Sequence, residues 1–312
     1  MTERRFLPEG YLIGTRDNSI HTSSPDELER AFERGTVLES TVLRCDASDM
    51  SLHLNMGGMR GIVPRDEALY TPTGGVKDIA IITRVGKPIS FVIKGFAKIG
   101  GEKVAVLSRR AVQERCMREH ISRLTPGDII PVRVTHLEPF GAFVDIGCGI
   151  VSLASVDTLS VSRISHPSDR LSVGDKLMAV VRCVDREAGR IYMSIRELLG
   201  TWEENARMFE PSQTVTGIVR SVEDYGIFVE LSPNLAGLAE YRPGVMPGDG
   251  CAVYIKSMIP ERMKVKLVMI DAYSEPVRHE MRSFVDTSRV THMKRWQYSP
   301  DCCHKVIETV FE

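Results

Sequence analysis

From Pro126 to Glu197 the chain alternates short β-branched runs with turn residues. Ile129 to Leu137 forms the first run, and Ala142 to Ile146 follows a turn at Glu138 and Pro139. A third run starts beyond Gly147 and Gly149. Lys176 to Val184 and Arg190 to Ile195 close the set, joined by the charged, glycine-bearing turn Asp185 to Gly189. Short apolar runs at this spacing predict five strands, not helices.

The pattern then returns. Phe140-Gly-Ala-Phe143-Val-Asp is echoed by Tyr225-Gly-Ile-Phe228-Val-Glu, and a weaker copy opens at Gly35. Three copies at a fixed period predict an array of similar modules, not one large core. Five strands in so few residues predict a small closed unit of the OB type, whose exposed strand face and loops often hold nucleic acid. The expected fold is therefore mainly β: a tandem array of three OB-fold barrels joined by short α-helices, with a small α+β extension at the C-terminal end.

The expected boundaries are an arm and short helix over 1–34, domain 1 over 35–110 and a linker helix over 111–125. Domain 2 covers 126–197, a second linker helix 198–210, domain 3 211–272 and the extension 273–312, packed on domain 3. Residues up to about 24 are polar and irregular, either a flexible arm or a segment folded over its neighbour. Ser24-Pro25-Asp26-Glu27 then has the cap, N1 proline and first-turn acids of a helix start, and Gly35 ends it. In RRAVQERCMREHISRL (109–124), Val112, Cys116, Ile121 and Leu124 make a packing stripe. Arg110, Arg115, Arg118 and Arg123 fall outside that stripe, as a solvated or a phosphate-contacting face. Arg196 to Phe209 reads as the second connecting helix, with Trp202 as a packing anchor. The insertion 65–88 in domain 1 contains IAIITRVGKP, which reads as an extra strand. In the extension PVRHEMRSFV reads as a short helix, and VTHMKRWQYSP and HKVIETVFE as strand-like pieces.

GAFVDIG, HPSDRLSVGD and VDREAGRIYMSIREL resemble the S1 RNA-binding domain of small-subunit ribosomal protein S1. The resemblance covers roughly residues 35 to 272, strongest in the middle copy and partial in the first. It implies a single-stranded RNA face on each barrel. Phe140 and Phe143, and in the third copy Tyr225 and Phe228, take the family's two aromatic positions. Gly141 between the phenylalanines permits a tight, bulged turn that brings both rings to the surface. Asp185 and Arg190 keep the family's acidic and basic pair around the last hairpin, whereas the third copy has Pro260 and Lys264 there. The family's third-strand histidine is replaced by Ser155, Glu240 and Pro64 in the second, third and first copies. Further candidates on adjacent strands are His136, Arg133 and Arg182 in copy two, and Arg220 and Lys256 in copy three. Copy one aligns Met50 and His53 with the aromatic positions, so direct base stacking there is not expected.

Charge is abundant but balanced, 40 Lys and Arg against 41 Asp and Glu, so nucleic-acid contact must use local faces. Copy one (36–110) carries 11 basic and 7 acidic residues; copies two and three carry 8 against 9 and 6 against 7. The positive excess thus lies where the aromatic motif is weakest, which points copy one toward a ribosome or an RNA backbone. Seven cysteines, an odd number, favour reduced thiols in a cytoplasm over a disulfide framework. Cys302-Cys303-His304 lacks the paired spacing of a zinc knuckle. No apolar run is long enough to span a bilayer. Neither a phosphate-cradling loop nor a nucleophile elbow nor HExxH occurs, so no enzyme activity and no cofactor are expected. The expected function is non-enzymatic binding of single-stranded RNA (mRNA) beside the 30S ribosomal subunit, by a chain that is monomeric when free. A scaffold whose barrels dock folded partners is the alternative.

Overall fold

The computed structural model describes residues 6–71, 75–274 and 277–311. Helix α1 (Arg16–His21) precedes α2 (Pro25–Arg34), which has Ser24 as its N-cap and Gly35, left-handed at φ 59°, as its C-cap. The first sheet comprises β1 (Leu38–Thr41), β2 (Arg44–Cys45), β3 (Leu52–Met56), β4 (Met59–Val63), β5 (Pro88–Ile99) and β6 (Glu102–Ser108). Its order is β1-β5-β6-β4-β3-β2. The two end strands are thus halves of one interrupted strand, β1 pairing with β5 and β2 with β3. Within the insertion, IAIITRVGKP does not add a strand: Asp78–Ile82 is the short helix α3, and pairing starts only at Pro88. Residues 72–74 of that insertion lie outside the described residues.

Helix α4 (Arg109–Glu119) follows, capped by the Ser108 side chain, and buries Val112 and Cys116 as the stripe predicts. The second sheet is a closed barrel, β10-β11-β9-β8-β7, built from β7 (Ile129–Glu138), β8 (Gly141–Asp145), β9 (Val151–Ser155), β10 (Lys176–Asp185) and β11 (Arg190–Ser194). The expected continuous helix from Arg196 is broken. A 3₁₀ turn covers Arg196–Leu199, Gly200 sits at φ 83°, and α5 (Trp202–Ala206) restarts with a capping box of Thr201 and Glu204. A left-handed glycine cannot continue a helix, so two short pieces replace one. Trp202 is buried, in its anchoring role.

The third sheet repeats the closed order as β12-β13-β14-β16-β15, from β12 (Thr214–Glu223), β13 (Gly226–Ser232), β14 (Leu235–Ala239), β15 (Gly250–Ile259) and β16 (Lys264–Tyr273). In the extension, residues 277–285 form no helix, and β17 (Arg295–Gln297) pairs with β18 (Glu308–Val310). The extension packs on both neighbouring barrels. The Tyr298 hydroxyl donates to the Asn234 carbonyl of the third barrel (2.7 Å), whereas Ile129 N–H donates to Thr291 O (2.9 Å) and Asp128 bonds His292 (2.8 Å). Trp296 and Phe311 join Ile129, Val180 and Leu198 in the same buried cluster as Val219 and Ile255.

The chain folds as two compact units. One holds residues up to 124 with 131–133 and 145–151; the other holds 125–130, 134–144 and 152 onward. The first unit has its own core around Leu28, Leu52, Leu54, Phe91 and Leu107.

Candidate nucleic-acid interface

Two glycines set the aromatic pairs. A side chain at Gly141 would bring its Cβ to 2.5 Å from the Ala154 carbonyl oxygen, and one at Gly226 to 2.5 Å from that of Ala239. Only a residue without Cβ lets the turn come this close to the neighbouring strand. In the second barrel Phe140 is 56% exposed and Phe143 half-buried. Their centroids are 5.9 Å apart at 89°, edge to face. In the third barrel Tyr225 is 70% exposed and Phe228 half-buried, 6.2 Å apart at 88°. The two platforms are copies in geometry as well as in sequence. An edge-to-face pair holds one ring standing and one lying, each stabilising the other.

The polar candidates divide. His136 stacks on Phe143 (6.3 Å, 26°) and hydrogen-bonds Glu138 (2.7 Å), so the ring extends the platform. Asp185 lies opposite Arg190 across the closing hairpin. Its carboxylate accepts from Ala188 N–H (2.9 Å), which fixes the turn, while Arg190 is exposed. Arg182 is exposed and lies 3.7 Å from Asp157. Lys256 and Lys264 are exposed. Arg133 is drawn inward, donating to the Glu9 carbonyl (3.1 Å).

Arg220 is not free to meet a phosphate. Its guanidinium grips both Glu230 carboxylate oxygens (2.7 and 3.1 Å) and lies 3.4 Å from Asp169. Arg170, with a wholly buried side chain, binds the same Glu230 at 2.5 Å. Burial raises the Glu230 pKa, but the two arginines outweigh it and hold the carboxyl below its usual range.

Asp145 occupies the corresponding position in the second barrel's motif and is also buried. It accepts from the N–H groups of Glu9 (2.7 Å), Gly147 (2.8 Å) and Gly149 (3.0 Å). Glu9 in turn takes a bidentate pair from the buried Arg109 (2.6 and 3.0 Å). Burial, then the nearby Glu9 charge, pushes Asp145 up to about 7. Neither buried ion group stands out in the sequence. Arg220 reads as an RNA contact, and the one signal was the matched acid at the end of the repeated motif.

At the matching positions the first sheet has no rings, and its edge-to-face pair, Phe32 with Phe96 (5.8 Å, 81°), joins helix α2 to β5 instead. Met50 sits in a left-handed turn (φ 58°), and His53 is buried against Ser51 (3.1 Å). Burial, with Arg44 and Arg60 nearby, lowers the His53 pKa and favours the neutral ring.

Among the described residues no group of His, Cys, Asp and Glu is arranged to hold a metal ion, and no helix is long and apolar enough to cross a membrane. Residues 123–196 match the family model for the S1 RNA binding domain. This match places the middle barrel in the S1 domain family. The chain is 33% identical over 193 residues to small ribosomal subunit protein bS1 of Leuconostoc lactis, covering 57% of this chain and 45% of the relative. It is 28% identical over 278 residues to the small ribosomal subunit protein bS1 homolog of Bacillus subtilis, covering 88% and 70%. The chain therefore spans less than half of the first relative and about two thirds of the second. A solved multidomain protein with nucleic acid binding domains from Streptococcus pneumoniae aligns over 76% of this chain and 74% of its own, at 17% identity and a TM-score of 0.25.

Proposed function

We propose that this protein holds single-stranded RNA, mRNA in particular, beside the small ribosomal subunit in the cytoplasm, without a chemical step. The observation that carries the reading is the aromatic pair repeated at 5.9 Å and 6.2 Å, near 90°, on two barrels. A ring with an open face takes an unstacked base, at about 1–3 kcal/mol per base. Arg190 is exposed on the second barrel's closing hairpin, and Lys256 and Lys264 are exposed on β15 and β16 of the third barrel. These cations are few, so binding is modest and tolerant of sequence. The ribosomal names of the relatives support the setting. Two platforms on one chain act on one strand at high effective concentration, so the pair binds more tightly than either alone.

Anisotropy of a labelled, unstructured oligoribonucleotide at two salt concentrations tests the reading. Saturable binding that weakens with salt is expected, and the slope counts the neutralised phosphates. Absence of binding at low salt refutes it.

A further inference from the structure

The second and third barrels share a strand plan, yet one outer face is closed in one and bare in the other. Val180 of β10 pairs with Ser194 of β11, and at the matching place Tyr254 of β15 pairs with Val268 of β16. Val180 and Ser194 are both fully buried. Val180 lies in a cluster with Ile129, Leu198 and the extension's Trp296 and Phe311. Ser194 bonds to Thr158 O and Glu197. The loop between β9 and β10 that carries Thr158 spans residues 156–175, whereas its counterpart between β14 and β15 spans only 240–249. In the third barrel Val268 is 40% exposed, Ile270 52% and Tyr254 half-buried.

This bare face is continuous with the aromatic platform. Phe228 pairs with Leu238, which is 38% exposed, and Leu238 pairs with Lys266. Along β16 the outward residues run Lys264, Lys266, Val268, Ile270, with Lys256 on neighbouring β15. From Lys264 to Ile270 is about 20 Å at ~3.3 Å per residue. Arg242 anchors the far end by donating to Ile270 O (2.9 Å). Glu240 and Asp271 are exposed acids at that end and Glu261 at the other, so phosphates are held locally by Lys264 and Lys266 while bases cover the aliphatic side chains.

We propose that the third barrel carries an extended RNA track, from Tyr225 and Phe228 over Leu238 and Lys266 to Val268 and Ile270. It holds more nucleotides than the second barrel, whose equivalent face is sealed. The proposal rests on the RNA-binding reading above. Its occupant is RNA because two lysines lead directly into the apolar side chains and the strip continues the stacking face.

The test compares the full chain with its Val268→Ser/Ile270→Ser variant, using labelled oligouridylates of roughly 4 and 12 nucleotides, within the range of OB-fold site sizes. The variant should bind the longer oligomer about 3- to 10-fold more weakly and the shorter one as the wild type does. Unchanged binding of both lengths, or equal weakening of both, overturns the track. A wild type that binds neither length refutes the RNA-binding reading itself and the track with it. Ultraviolet crosslinking of the longer oligomer to the wild-type protein gives a readout independent of the variant's folding. The peptide containing Tyr254 should carry the label, and its absence overturns the proposal.

Discussion

The first and second barrels set the same strand plan to different uses. In the second, a glycine-bearing turn lifts Phe140 into solvent and holds Phe143 half-buried beside it. In the first, His53 is drawn inside and Met50 takes a left-handed turn, while the strand that opens the sheet is interrupted. The first barrel nevertheless has the larger positive excess. Charge and stacking are therefore separable properties of this scaffold: charge resides in exposed side chains anywhere on the strands, whereas stacking needs one glycine and two rings in register.

The largest effect concerns stability. Glu230→Ala leaves Arg170 and Arg220 without their shared carboxylate, and an uncompensated buried charge costs about 3–5 kcal/mol. A fall in melting temperature of several degrees measures it. If melting is unchanged, the buried network contributes nothing. Next in size, Phe140→Ala/Phe143→Ala should weaken oligoribonucleotide binding by roughly tenfold or more, at about 1–3 kcal/mol per stacked base. Its salt slope should stay near that of the wild type, because no phosphate-binding cation is removed; a reduced slope would mean that the rings hold the backbone and not bases. The smallest effect belongs to the first barrel. Lys94→Ala/Lys98→Ala removes two exposed charges and should weaken binding only slightly and equally for all sequences, lowering the salt slope by up to ~1 for each phosphate no longer neutralised. A sequence-dependent weakening would give the first barrel the base-reading role its missing rings deny it.

The pH response sharpens the same contrast, because Asp145 and Glu230 occupy one repeated position with opposite shifts. The Asp145 pKa is raised to about 7 from an ordinary value of 3.8, first by burial. Its contribution to stability is present below the ordinary value and is lost as pH rises through 7. Glu230 is held below its ordinary 4.5, so its contribution is present above that value and is lost as pH falls further. Asp145→Asn should flatten the fall in stability that runs from about pH 4 to 7 and leave the fall below pH 4.5 alone. A rising-pH limb unchanged by the substitution would assign it to another group.

Most of the strands were legible because alternation and turn residues are local signals, and β7, β8, β10 and β11 fall within a residue of the sequence expectation. The aromatic pairs were legible for the same reason, since the motif that makes them is six residues long. What the sequence hid was non-local. Gly200 interrupts a stretch whose apolar spacing reads as one helix. Residues 277–285 have helical composition but lie along the rest of the fold without a turn of helix, Phe284 N–H donating to Leu198 O (2.9 Å). Arg220 reads as an RNA contact, yet it is committed to Glu230 ten residues on, and Arg109 and Arg170 are committed to carboxylates 100 and 60 positions away. Pattern shows which face of an element is apolar, but not which distant acid will neutralise a cation placed against it.

The Glu9 to Asp145 hydrogen bond joins residues 136 positions apart. During synthesis Glu9 appears long before Arg109, one of its partners, which follows the last strand of the first sheet. The carboxylate that receives the Glu9 amide comes later still, with the second strand of the next barrel. The segment around Glu9 is thus made well before the carboxylate that fastens its backbone. Until then the Glu9 amide has no carboxylate to meet, and the first unit finishes its fold only once the next barrel has begun.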